Sequence, residues 1–171
     1  MRTRVLMLLT MIMILSILST PALAGPPKEA EGLMRYTPTI VDVRVADGNT
    51  FLHTTEEAEW TGTFSGVSAE EGQVVIHSSG RWSFKGMVSF DGEVDGKSGT
   101  LEMSVNGTKP DEDSNWKGRW VILSGTDGLA NLRGQGTWEG PGFKGVPGPE
   151  GGEEQEWGNI DYSGRIHFEP E

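Results

Sequence analysis

Cysteine is absent from all 171 residues, which excludes disulfides, thiolate metal sites and cysteine nucleophiles. The chain must therefore be held by an ordinary core. Helical periodicity is missing too: beyond residue 24, apolar residues never recur at i, i+3 and i+4 for two clear turns. Positive charge is scarce, with 14 Lys and Arg against 25 Asp and Glu, a net charge of −11. Such a surface repels phosphate backbones and anionic lipid, so neither nucleic acid nor a membrane is an expected partner.

Recognisable chemistry is equally sparse. His53, His77 and His167 fall on separate predicted strands without ligand spacing, so no metal site is expected. Asp111-Glu112-Asp113-Ser114-Asn115 starts like a calcium loop, but Trp116 stands at its glycine and Ile122 at its closing glutamate. A solvated turn is the better reading. No serine occupies a Gly-x-Ser-x-Gly elbow, and no catalytic residue is assigned. Gly134-Gln135-Gly136 lacks the third glycine and following helix of a dinucleotide fingerprint, and a Gly-Lys-Thr phosphate loop is missing. No cofactor is expected.

One long apolar run is present, from Val5 to Leu18, behind Arg2 and Arg4 and before Ala22-Leu23-Ala24. It is shorter than the roughly 20 residues a spanning helix needs, and it reads as a secretory signal peptide over residues 1–24. The protein is therefore expected to be exported, secreted or held in the cell envelope, without membrane insertion after cleavage. Removing two arginines leaves the remainder more acidic still. Residues 25–36 read as a flexible lead-in, with Pro26, Pro27 and mixed charges, and residues 37–171 as a single domain.

That domain is written in period two. Leu101, Met103 and Val105 alternate with Glu102 and Ser104, predicting a strand with a buried and a wet face. Val41, Val43 and Val45 alternate likewise. Trp60, Gly62 and Phe64 read as one face of a strand, as do Leu132, Gly134, Gly136 and Trp138, and Ile160, Tyr162, Gly164, Ile166 and Phe168. Asp47-Gly48 and Asp95-Gly96 supply turns. About eight or nine short strands, divided by turns every 8–12 residues, are the pattern of an antiparallel barrel or sandwich. The segment 139–158 is Gly/Pro-rich and acidic, and reads as a long inserted loop before the last strand.

The Gly96-Lys97-Ser98-Gly99 block, the run Ser124-Gly125-Thr126-Asp127-Gly128 through Leu132, Gly134 and Gly136, Phe64-Ser65-Gly66 and Asp161-Tyr162 resemble a prokaryotic family of domains of unknown function. That family is similar in fold to allene oxide cyclase and the dirigent proteins. The resemblance spans roughly Trp60 to Phe168 and implies a closed antiparallel β-barrel of about eight strands with a central lumen. Asn131 replaces a frequent family glycine, a mild change because Asn tolerates left-handed backbone. No catalytic residue is carried over.

The aromatic residues bear most on function. Trp60, Trp82, Phe84, Trp120, Trp138 and Tyr162 come from several predicted strands, and inward residues of a barrel this size either fill it or hold one small ligand. They are the candidate ligand-binding residues, for a small apolar molecule. Buried indoles need N–H partners, so they were also expected to leave polar handles in the lumen. Two further readings are open: an isomerase or cyclase using the lumen as a template, and a cell-surface interaction protein with a filled barrel. Inward Glu102, Arg133 or His167 would favour chemistry. Asn106-Gly107-Thr108 is a glycosylation sequon in a chain expected to be exported.

Overall fold

Alternation of apolar and polar residues makes strands here, and Asp-Gly pairs turn them. Residues 25–141 and 158–170 are described by the structure, a computed structural model. Eight strands follow in order: β1 Lys28–Ala46, β2 Asn49–Gly62, β3 Phe64–Ile76, β4 Trp82–Val94, β5 Lys97–Lys109, β6 Trp116–Gly125, β7 Leu132–Gly140 and β8 Gly158–Phe168. Each pairs antiparallel with the next, and β1 pairs with β8, so the sheet closes into a ring. Among the described residues closure pairs most of the strand edges, while β1 from Thr37 to Ala46 pairs with β2 alone. One 3₁₀ turn, Asp127–Leu129, is the only helical element among the described residues.

Two tight hairpins show how sequence sets the register. Asp47 and Gly48 have φ of 51° and 74°, and Asp95 and Gly96 have 56° and 75°. Positive φ at both central positions is the turn whose twist matches the flanking strands, and Asp-Gly adopts it readily.

The core lines the inside of the ring. Leu101, Met103 and Val105 are buried and Glu102 is exposed, as the alternation of β5 predicts. Toward the end bearing the Asp95-Gly96 turn, Phe64, Phe90, Val94, Leu101, Leu132 and Ile166 pack tightly, and Leu129 of the 3₁₀ turn adds to the seal.

Several expectations change. The lead-in placed at residues 25–36 is mostly strand: β1 starts at Lys28 and pairs with β8 from Lys28↔Ile166 to Tyr36↔Gly158. Ala30, Met34 and Tyr36 point inward there, an apolar phase hidden among charged and glycine residues. Val41 and Val45 are 57% and 71% exposed, because an irregularity between Ile40 and Asp42 breaks the alternation and β1 runs on past the core. Trp60 and Phe64 belong to different strands, since the chain reverses at Gly62 (φ 102°) and Thr63. Of the expected 139–158 loop, Glu139 and Gly140 finish β7 and Gly158 begins β8. Residues 142–157 and the expected signal peptide at 1–24 lie outside the described residues.

Candidate functional site

Large rings from one strand lie over glycines of the next. Gly136 pairs with Trp120 and Gly118 with Trp138, whose ring reaches past Gly118 to Gly107 of β5. A Cβ at Gly136 would stand 2.6 Å from the Trp120 ring, and one at Gly107 would stand 2.6 Å from Trp138. Only glycine permits this approach. Rings still meet across the lumen, Phe64 with Trp120 at 5.7 Å and Phe84 with Trp138 at 6.2 Å, and a cavity of about 50 Å³ is left inside. Holding one water takes about 10–15 Å³ by this kind of measure, so there is room for a few waters or a ligand of a few heavy atoms.

Trp60, Phe84, Trp120, Trp138 and Tyr162 line this cavity, five of the six aromatic residues expected to do so. Trp82 does not. It lies farther out, edge-on to Trp116 at 6.4 Å and capped by Lys109, whose Nζ sits 4.1 Å from its ring centroid. Trp116 takes the place in the wall. A strand start at residue 116 was legible, but not that its first residue faces inward.

The indole N–H groups are not the polar handles of the lumen. Trp60 donates to Ser68 Oγ at 2.8 Å, Trp120 to the Ser163 carbonyl at 3.2 Å and Trp138 to the Arg119 carbonyl at 3.2 Å. The polar groups are instead two carboxyls, Glu56 of β2 and Glu70 of β3, both in the cavity wall. They are direct cross-strand partners. Directly opposed side chains lie about 5 Å apart, where two ionised carboxylates would repel by about 3 kcal/mol at an effective dielectric constant near 20.

Among the described residues, no lysine, arginine or histidine lines the cavity. Burial accordingly pushes Glu56 up to about 7. Burial and then the charge of Glu56 push Glu70 well above the usual carboxylate range. Tyr36, in the same wall, is raised by burial first and then by Glu56 and Glu70. Glu70 is 9% exposed, and its Oε1 has no hydrogen-bond partner. The Thr54 hydroxyl, two residues from Glu56 on the same face of β2, is also buried without a partner.

Both glutamates escaped the sequence reading because each sits in a run of acids. Strand phase was the available signal: Leu52, Ala58 and Trp60 share the parity of Glu56, and Phe64 and Val74 that of Glu70.

The other candidates face elsewhere. Glu102 accepts a hydrogen bond from Ser89 on the outer surface, Arg133 pairs with Glu169 at 3.1 Å, and His167 is only partly buried. His53 contacts Glu71 and His77 contacts Ser83, each at 3.0 Å. Among the described residues, no group of three His, Asp or Glu side chains could hold a metal ion. The Asp111 carboxylate accepts from Ser114 N–H and Oγ, bonds that hold it below the ordinary range. Asn106 is exposed, three residues before the end of β5.

An all-β ring of eight antiparallel strands around an apolar cavity is the class of protein defined here. The chain belongs to DUF3224, a family described as protein of unknown function, which matches residues 36–141. The fold is similar to the crystal structure of a DUF3224 protein with unknown function from Shewanella oneidensis MR-1. That likeness has a TM-score of 0.60 and 14% identity, covering 85% of this chain and 99% of that one. No curated protein matches the chain.

Proposed function

We propose that this is an exported binding protein whose strands form a closed barrel, of the allene oxide cyclase and dirigent kind, and whose lumen holds a small, largely apolar molecule. The observation that carries the reading is the unfilled cavity walled by Trp60, Trp116, Trp120 and Trp138. Apolar area removed from water contributes roughly 25 cal/mol per Å², so a snug aliphatic ligand gains from entering. The Ala22-Leu23-Ala24 site behind a short apolar run supports export.

The test of binding is titration with isobutanol, a neutral probe sized to the cavity, followed by tryptophan fluorescence and the indole N–H resonances. Saturable shifts at the cavity tryptophans are expected, and their absence counts against a binding lumen. Export is tested separately by N-terminal analysis of protein recovered outside the cell, with Gly25 expected first. A second reading, isomerase or cyclase, is favoured by the carboxyl pair, since a proton shared between Glu56 and Glu70 provides an acid and a base side by side.

A further inference from the structure

We propose that the ligand is a small primary or secondary ammonium, with its N–H groups donated to Glu70 and Glu56 and its short aliphatic body against the rings of Trp60, Trp116 and Trp138. This rests on the lumen-binding reading above and narrows it to one chemical class.

Four observations lead to it. Glu70 Oε1 is buried at the cavity wall with no hydrogen-bond partner. A buried acceptor left unmatched is costly, and an incoming donor would relieve that cost. Glu56 and Glu70 stand side by side with no basic residue among the described residues of the wall, so an incoming cation would supply the compensating charge. The remaining wall is mostly aromatic, and ring faces attract cations, most strongly where water is excluded. Finally, the chain carries a net charge of −11, which raises the local concentration of cations around it.

An ammonium fits better than the alternatives. A calcium ion takes six to eight oxygen ligands, and this wall offers two carboxyls amid hydrocarbon. A quaternary ammonium has no N–H to give Glu70. A neutral alcohol leaves the pair holding its own proton. When an ammonium enters, the carboxyl that gains it as partner gives its proton to solvent, so charge is exchanged one for one. At about 50 Å³ the cavity selects a ligand of a few heavy atoms.

The experiment compares isobutylamine, protonated at pH 7 like a lysine side chain, with the isosteric isobutanol, by calorimetry on the intact protein in two buffers of different ionisation heat. The cation should bind at least about tenfold tighter than the alcohol, as a charge-assisted hydrogen bond predicts, with proton release seen for the amine alone. Glu70→Gln should lower the ratio of amine to isobutanol affinity about tenfold or more, and Glu56→Gln should act in the same direction. If isobutanol binds as well as the amine, the ammonium assignment is overturned while the binding lumen stands. If neither probe binds, the binding lumen itself falls. The comparison of probes and the proton count need no variant, so a misfolded Glu70→Gln does not obscure the answer.

Discussion

Glu56 and Glu70 face each other across β2 and β3 on the inner wall of the ring, two acids in register with no base among the described residues of the cavity lining. Most buried carboxylates in proteins are paired with a cation and become a liability in acid. This pair runs the other way. Its folded-state affinity for protons exceeds that of the unfolded chain, where a glutamate titrates near 4.5.

Stability should therefore fall as pH rises. Between about 4.5 and 7 the folded protein binds more protons than the unfolded chain at Glu56, and each such proton removes up to about 1.4 kcal/mol per pH unit. Tyr36 from β1 and Tyr162 from β8 are the other titratable groups in the wall, both raised by burial and so neutral throughout this window. Urea midpoints at pH 4.5, 5.5, 6.5 and 7.5 should decline, and Glu56→Gln should flatten the decline. An unchanged slope in the variant would count against the pair as its source.

Gly136→Ala should be costly although it adds one methyl group. The new Cβ would fall on the Ser163 backbone carbonyl oxygen, which accepts the Trp120 N–H, and 2.6 Å from two atoms of the Trp120 ring. Overpacking of this kind costs about 1–3 kcal/mol. Because the ring must tilt into the cavity, isobutanol binding should weaken along with stability. Gly25→Ala, with no atom within 4 Å of the added group, is the control and should leave both unchanged.

These details bear on what could be read from the chain itself. Strand β5 was legible because Leu101, Met103 and Val105 alternate without interruption, and the two Asp-Gly hairpins because only one turn type suits them. Five wall aromatics were legible as aromatic residues of predicted strands. The first half of β1 was not, because its inward phase runs Ala30, Gly32, Met34, Tyr36, with a glycine where an apolar side chain would announce a strand. Nor was the acid pair. A glutamate at an inward position contradicts the pattern that reveals strands, so the residues most suggestive of function are the ones that pattern hides.

Truncation within β5 separates its two faces. Leu101→Ala removes a fully buried side chain packed near the sealed end and should cost about 2–5 kcal/mol. Glu102→Ala removes only an exposed contact with Ser89 and should cost well under 1 kcal/mol. Comparable unfolding midpoints for the two variants would contradict the inward placement of Leu101.

Tyr162→Phe probes a link that crosses the ring. Tyr162 on β8 pairs with Gly32 on β1, and a Cβ there would stand 2.7 Å from Cζ of the tyrosine ring. The missing side chain lets the ring pass over β1 to the β2–β3 turn. Its hydroxyl donates to the Thr61 carbonyl and accepts from the Phe64 N–H, both at 3.0 Å. Phe64 is fully buried, so losing the hydroxyl strands a backbone donor that water cannot reach, at about 1–3 kcal/mol. Tyr36→Phe removes a hydroxyl too, one that donates at 2.9 Å to the carbonyl of exposed Pro141, where water can replace it. Chemical denaturation of both variants should show the larger loss at Tyr162, with faster exchange of the Phe64 amide. Equal losses and unchanged exchange would mean that the turn is held by β-pairing alone.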